Sequence, residues 1–179
     1  MEKRQLFLID GHALIYRSYF AFIRNPLMNS RGQNTSAAFG FANYIIKLLE
    51  TYSCAYCAVV LDSSKPTFRH EMYTRYKANR QEMPEDLKSQ IPIINDIIHA
   101  FNIPVISEEG LEADDLIGTI ARMAEKEGFE VFLVTKDKDL MQLISPNVTM
   151  LAPEGTGTLQ TIGENEVIGL IGGARFTFL

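Results

Sequence analysis

Three carboxylates lie within one short stretch of the sequence, residues 110–118, where Glu112, Asp114 and Asp115 open a predicted amphipathic helix. One or two acids in a first helical turn are ordinary, because the helix dipole and its free N–H groups favour negative charge there. A third acid needs another reason. At helical spacing Glu112 and Asp115 share one face, so the acids stand together at the end of a packed helix. Such a cluster is typical of a divalent-cation site. The predicted buried stripe of this helix is Ile117, Ile120, Ala121 and Ala124.

Four more acids follow apolar runs of strand length at residues 6–9, 58–61 and 131–135. In a parallel α/β sheet, acids placed just after separate strands converge on one edge, where ligands bind. Carboxylates crowded there repel each other unless cations neutralise them, and ligands that are all oxygen suit Mg²⁺ or Mn²⁺. The predicted metal ligands are Asp10, Asp62, Glu112, Asp114, Asp115, Asp137 and Asp139.

The elements that must position these acids alternate between strands and helices, which predicts an α/β fold with a parallel sheet. Thr35 is the expected N-cap of a helix over residues 36–51. Gly40 inside that helix costs about 1 kcal/mol relative to alanine, which indicates close approach of a neighbouring helix rather than of DNA. Pro92 is expected to kink or restart a helix. Phe20 is expected in the core.

A basic and aromatic segment follows Asp62, at residues 68–80. Its cations are Arg69, Arg75, Lys77 and Arg80, interleaved with Phe68, Tyr73 and Tyr76. A solvated surface helix would explain this composition, but cations also attract a phosphate backbone and aromatic rings stack on unpaired bases. The position just after a proposed metal ligand favours nucleic-acid binding. Tyr16 and Arg17 lie close enough to Asp10 to face a phosphate or base as well.

The 179-residue chain is 46% hydrophobic and 22% charged, which fits one globular domain. Its net charge of -5 argues against a nucleic-acid partner, yet basic residues outnumber acidic ones once the seven proposed ligands are set aside. Neither a signal-peptide core nor a membrane span is recognised, so we expect a cytoplasmic protein. Cys54 and Cys57 could indicate zinc or redox chemistry. Without a second ligand pair, and placed before a strand, they are expected to be reduced structural cysteines.

Five motifs carry a family resemblance. They are residues 7–12 (FLIDGH), residues 59–62 (VVLD), residues 68–71 and 76–80 (FRHE and YKANR), residues 110–115 (GLEADD) and residues 135–140 (TKDKDL). In this order the sequence resembles the 5′-nuclease domain of bacterial family A DNA polymerases, within the flap endonuclease superfamily. The resemblance covers residues 5 to about 168.

The resemblance implies a three-layer α/β/α fold of the PIN-like or resolvase-like type, with an acidic cleft at the carboxyl ends of the strands. It implies a nuclease that removes 5′ flaps and primers, using two Mg²⁺ ions, with Mn²⁺ as an alternative, held by the seven acids. Lys77 and Arg80 match arch cations at the scissile phosphate, which makes them the catalytic candidates, and Tyr76 matches an arch aromatic. The implied partners are DNA with a 5′ flap or single-stranded 5′ end, an RNA primer hybrid, and a linked or separate polymerase; no membrane partner is expected.

On this basis residues 1–168 are expected to form the nuclease domain, with the arch at about 64–84. The family pattern continues to a further aspartate pair and a helix-hairpin-helix, whereas residues 169–179 form an atypical tail and the sequence has no aspartate after Asp139. Weak or absent cleavage by a nucleic-acid-binding fragment is therefore the alternative. A metal-dependent phosphatase is a third possibility, although it would leave the basic segment without a purpose.

Overall fold

A six-stranded sheet organises the computed structural model, which describes residues 3–63, 65, 67–73, 76, 82–155 and 158–170. The spatial order is β3-β2-β1-β4-β5-β6. The strands are β1 (Gln5–Asp10), β2 (Tyr56–Val60), β3 (Val105–Ile106), β4 (Glu130–Val134), β5 (Val148–Glu154) and β6 (Thr158–Ile162). The first five are parallel to their neighbours, and β6 closes the edge antiparallel to β5. The predicted α/β class and mostly parallel sheet are confirmed.

Helices cover both faces of the sheet. They are α1 (Gly11–Ala21), α2 (Ser36–Thr51), α3 (Phe68–Met72), α4 (Glu85–Lys88), α5 (Ile91–Ala100), α6 (Ala113–Lys126) and α7 (Glu164–Leu170), with a 3₁₀ helix at Lys138–Leu143. Alternate residues of β1 enter different cores: Phe7 and Ile9 pack with α1, α2 and α5, whereas Leu8 packs with α6. Burial on both faces explains why this strand reads as a continuous apolar run. The result is the expected three-layer arrangement.

The register of the sheet brings the ends of β1, β2 and β4 together. Asp10, the last residue of β1, pairs in register with Val60 of β2, and Ile9 pairs with Val134 of β4. Thr135, the residue after Val134, is consequently level with Asp10. Asp62 follows β2 by two residues, so it lies at the same edge of the sheet.

Two predictions about local structure need correction. Thr35 occupies the N-cap position of α2 as predicted, but its side chain makes no capping bond; its hydroxyl donates to the carbonyl of Leu27 instead. The fully buried side chain of Gln90 performs the cap, since its Oε1 accepts from the N–H groups of Ala37 and Ala38 at 2.8 and 3.2 Å. Phe20 is 54% exposed rather than in the core, because it lies on the outer face of α1.

Two other expectations are confirmed. Gly40 lies against α1, where an added Cβ would come within 2.8 Å of the Ser18 Cβ, so the close approach is helix packing. Pro92 lies in the first turn of α5 after the separate short helix α4, which makes it a restart. Within the described residues, no helix has the length and apolar character needed to cross a membrane.

Candidate active site

Asp10 is the most buried acid of the strand edge, at 5% exposure. As N-cap of α1 its Oδ1 accepts the N–H of Ala13 at 3.0 Å, and its Oδ2 accepts the hydroxyl of Thr135 at 2.9 Å. Burial raises the pKa of Asp10 and the nearby charge of Asp62 adds to this, while the two hydrogen bonds oppose it. The fold therefore places a carboxylate where its negative charge is disfavoured, which is a setting that a cation would relieve.

Asp62 joins the end of β2 to the start of α6. Its Oδ1 accepts the N–H of Ala113, the first residue of α6, at 2.8 Å. Its own backbone N–H donates to Nδ1 of His12 at 3.2 Å, and the same nitrogen lies 3.8 Å from Oδ2 of Asp62. His12 thus holds the β2 end against α1. The hydrogen bond at the start of α6 fixes the acids of that helix relative to Asp62.

The first turn of α6 carries a reciprocal capping box. The Glu112 side chain accepts the N–H of Asp115, and the backbone N–H of Glu112 donates to Oδ2 of Asp115 at 3.2 Å. These bonds place the two carboxylates on one side of the helix start, as the spacing predicted. Asp114 lies half-buried in the same turn.

Two side chains from the basic segment reach these acids. Arg69 binds Asp115 with two hydrogen bonds of 2.6 Å, and its Nη1 lies 3.5 Å from Oε2 of Glu112. The hydroxyl of Tyr76 donates to the same Oε2 of Glu112 at 3.0 Å. The hydrogen bonds to Asp115 raise the pKa of Arg69. The aromatic and cationic segment therefore contacts the acid cluster directly.

The β4 exit connects to Asp10 through Thr135, whose side chain is only 2% exposed. Its Oγ1 donates to Asp10 and accepts the N–H of Asp137 at 3.1 Å. Asp137 is the N-cap of the 3₁₀ helix, and its carboxylate accepts the N–H of Asp139 at 2.9 Å. Both acids are exposed at this end of the sheet.

A cationic surface lies on the β5 side of Asp10. Arg17 donates through Nε to the hydroxyl of Tyr44 at 3.3 Å and through Nη2 to the carbonyl of Gly155 at 3.4 Å. Arg17, Phe20, Ala21, Lys136 and Gly155 line a shallow pocket there. Tyr16 stacks on Phe20 with ring centroids 6.3 Å apart. Arg17 and Lys136 consequently form a second basic surface beside the end of β5, separate from Arg69 and Tyr76, which contact the acids themselves.

The predicted residues are thus gathered in part. Asp10 and Asp62 lie together, and Glu112 and Asp115 form a second pair linked to them through Ala113. In the part of the chain that the structure describes, no three His, Cys, Asp or Glu side chains are arranged to hold a metal ion. The candidate cations Arg75, Lys77 and Arg80 lie outside the described residues.

Three participants were not assigned these contacts from the sequence. The sequence analysis predicts no site role for Thr135 or His12. Thr135 lies two residues before Asp137 in the TKD motif, and His12 lies two residues after Asp10 in the DGH motif. Arg69 was predicted to bind nucleic acid, whereas its described partners are the proposed metal ligands.

Cys54 and Cys57 are free thiols around the start of β2, and burial raises their pKa to about 11 and about 12.

The sequence is similar to a known protein family and to several characterised relatives. Residues 5–172 match the family model described as 5′-3′ exonuclease, N-terminal resolvase-like domain. The chain is 45% identical over 150 residues to DNA polymerase I of Treponema pallidum (strain Nichols), covering 84% of this chain and 15% of that protein. It is 42% identical over 150 residues to DNA polymerase I of Bacillus subtilis (strain 168), covering 83% and 17%. The chain therefore spans less than a fifth of the length of these relatives.

Solved structures show the same fold at low sequence identity. T5 5′-exonuclease with bound zinc superposes with a TM-score of 0.70 at 22% identity, covering 93% of this chain and 60% of that one. Flap endonuclease-1 from Methanococcus jannaschii gives a TM-score of 0.51 at 15% identity, covering 97% and 61%.

Proposed function

Since the chain belongs to the family of 5′-3′ exonuclease N-terminal, resolvase-like domains, we propose that it is a 5′ nuclease that hydrolyses phosphodiester bonds of DNA at 5′ flaps, primers and 5′ ends. The observation that carries this proposal is the edge of the sheet: Asp10, Asp62 and the Glu112–Asp115 pair converge there, and Arg69 and Tyr76 come from the basic segment to the same place. Carboxylates suit metal ions, while cations and aromatic rings suit a DNA strand.

The chemistry of the side chains fits a hard divalent cation. All seven proposed ligands, Asp10, Asp62, Glu112, Asp114, Asp115, Asp137 and Asp139, offer oxygen only, as Mg²⁺ and Mn²⁺ prefer. The raised pKa of buried Asp10 and the presence of a guanidinium between Glu112 and Asp115 both indicate a position that attracts positive charge. When bound, two such ions would supply an activated water and stabilise the leaving oxygen. One solved relative by fold, the T5 D15 flap endonuclease, is described as a complex with DNA and metal ions.

The chain's own side chains would then position the strand. Arg17 and Lys136 would contact phosphates on the β5 side of the acids, and Tyr16 offers a ring to a base. Lys77 and Arg80 are proposed to offset the charge that develops on the scissile phosphate, with Arg75 contacting the strand beside them. Asp10 and Asp62 are held by N–H groups at the starts of α1 and α6, so they would keep their positions while substrate binds.

A second candidate function is nucleic-acid binding with little or no cleavage. It is favoured by one observation: Arg69 and Tyr76 occupy oxygens of Asp115 and Glu112, so these two acids are already paired with groups of the protein.

Cleavage of a 5′-labelled flap duplex and a labelled single strand in Mg²⁺, Mn²⁺ and EDTA tests the proposal. Asp62→Asn is the informative variant, because the asparagine Oδ1 retains the bond to the Ala113 N–H while the charge is removed. Asp96→Asn, an exposed acid within α5, removes the same charge away from the edge. The nuclease predicts cation-dependent cleavage that Asp62→Asn loses by at least about 100-fold and Asp96→Asn retains. Binding without cleavage in either metal would favour the second function.

A further inference from the structure

The contact between Arg69 and the acids of α6 has the geometry of an occupied cation site. Both terminal nitrogens of the guanidinium bind Asp115, at 2.6 Å to each carboxylate oxygen, and Nη1 extends to Oε2 of Glu112 at 3.5 Å. The fork matches the carboxylate, so both oxygens of Asp115 are engaged at once. The partners are partly shielded from water, with side-chain exposures of 32% for Arg69, 26% for Asp115 and 8% for Glu112.

Neighbouring contacts hold Arg69 in this position. Its guanidinium carbon lies 4.6 Å from the centre of the Phe68 ring, and the hydroxyl of Tyr76 donates to Glu112 seven residues further along the chain. Oδ2 of Asp115 also accepts the backbone N–H of Glu112. The basic segment is therefore attached at two points to the two acids of one capping box.

A divalent cation bound by Asp115 and Glu112 would use oxygen atoms that Arg69 already contacts. The two oxygens of Asp115 cannot keep a bidentate guanidinium and also bind a metal ion in the same plane, because the positive groups would overlap and repel each other. An ion that takes both oxygens of Asp115 in this plane would then break at least one of the 2.6 Å bonds of Arg69.

We propose that Arg69 is a positioning residue that competes with the divalent cation for Asp115 and Glu112, so that metal loading releases Arg69 and the segment around it for contact with the DNA phosphates. This inference rests on the proposed metal-dependent nuclease. The reaction requires both a bound metal ion and a bound DNA strand, and this competition links the two. The cation that binds Asp115 and Glu112 releases the guanidinium of Arg69, and a guanidinium is well suited to bind phosphate. Tyr76 likewise competes with the cation, because its hydroxyl donates to the Oε2 of Glu112.

Metal binding measured without substrate tests the proposal. We expect Arg69→Gln to bind Mn²⁺ about tenfold more tightly than the parent chain by calorimetry, equivalent to about 1.4 kcal/mol. Arg69→Lys should remain close to the parent because it keeps a cation at the site, and Tyr76→Phe should tighten binding severalfold. Lys65→Gln is the matched control: it removes one positive charge from the same region, but Lys65 pairs with Glu109 at 2.7 Å instead of with the cluster. General electrostatics would shift Lys65→Gln and Arg69→Gln alike.

Hydrogen exchange gives a second readout on the parent protein itself. Adding Mn²⁺ should speed amide exchange in α3 (Phe68–Met72), because the segment loses its attachment to α6. Unchanged or slower exchange would overturn the proposal, as would equal Mn²⁺ affinity of Arg69→Gln and Lys65→Gln. If affinity is equal while the flap duplex is still cut, this inference alone fails. If no variant and no parent protein binds Mn²⁺, the proposed metal-dependent nuclease fails with it.

Discussion

Replacing Thr135 with valine tests how far the fold supports the acids. The hydroxyl of Thr135 donates to Oδ2 of Asp10 and accepts the N–H of Asp137, and its side chain is 2% exposed. Valine has nearly the same shape, so the change removes the hydroxyl without leaving a cavity. Of the two groups that donate to Asp10, the Ala13 N–H and the Thr135 hydroxyl, only the first then remains. The carboxylate stays in buried surroundings that already raise its pKa.

The cost follows from the kind of hydrogen bond lost. A bond to a charged acceptor contributes about 1.5–3 kcal/mol, and the N–H of exposed Asp137 can bind water in place of Thr135 at little further cost. We therefore expect Thr135→Val to lower the free energy of unfolding by about 2 kcal/mol, which corresponds to about 4–8 °C in Tm for a chain of this size. Because a donor that orients a metal ligand typically changes metal affinity by about 10–100-fold, Mn²⁺ binding should weaken as well.

Thermal unfolding in EDTA and calorimetric titration with Mn²⁺ measure the two effects separately. Thr135→Ser is the matched control, since it keeps the hydroxyl and loses one methyl group, at a cost of about 1 kcal/mol. Its metal affinity should match that of the parent chain. If valine and serine reduce stability equally and leave metal binding unchanged, then the Thr135 hydroxyl does not support Asp10 and the reasoning is wrong.

Three further perturbations have defined outcomes. Asp10→Asn should be less destabilising at pH 7 than at pH 4 in EDTA: the substitution loses the bond from Thr135, but at higher pH it also removes a buried charge. Burial raises the folded-state pKa, so the stability contributed by this carboxyl is highest below the usual value of 3.8 and falls as pH rises through the raised pKa; an equal change in Tm at pH 4 and pH 7 would contradict this. Alkylation of Cys54 at pH 8 should be roughly 100-fold slower than that of an ordinary thiol, and alkylation of Cys57 should be slower still, because burial raises their pKa to about 11 and about 12. Mass spectrometry compares the alkylation rates of the folded and the urea-unfolded protein, and equal rates would show that folding does not protect the thiols. Gly40→Ala should destabilise the chain by about 1–2 kcal/mol in urea unfolding despite the better helix propensity of alanine, because the added Cβ would lie 2.8 Å from the Cβ of Ser18 in α1. Gly118→Ala is the control: its Cβ would lie 3.7 Å from the Leu143 side chain, so the substitution should be neutral or stabilising.

The sheet and its acidic edge could be predicted because the signals are local. Apolar runs of strand length identify β1, β2 and β4, and a parallel sheet places the residues that follow such strands at one edge. Asp10 and Asp62 were therefore placed correctly at this edge from sequence alone. The apolar stripe of α6 was predicted on the same basis, and Ile117 and Ala121 are fully buried.

The partners of these groups could not be predicted, because they depend on contacts distant in sequence. Thr35 satisfies the local pattern for a cap, yet Gln90 caps α2 from 53 residues away. Arg69 precedes its partner Asp115 by 46 residues, so nothing in a basic segment indicates which acid it binds. The aromatic side chain of Phe20 predicts a core position, but on α1 it lies on the outer face and is exposed.

The starts of α1 and α6 explain how the edge tolerates its acids. Asp10 accepts an N–H in the first turn of α1, and Asp62 accepts the first N–H of α6, so each acid is stabilised by a helix N-terminus. Asparagine retains one acceptor oxygen, which is enough for the Ala113 N–H at Asp62, whereas Asp10 also accepts the Thr135 hydroxyl through its second oxygen. Asp62 is therefore the position where the charge can be removed with the least change to the fold. Asp115 differs, because its carboxylate belongs to the capping box and also binds Arg69. A substitution there changes the helix start, the basic segment and the charge together, so loss of activity in Asp115→Asn would not by itself identify a metal ligand, whereas the same loss in Asp62→Asn would.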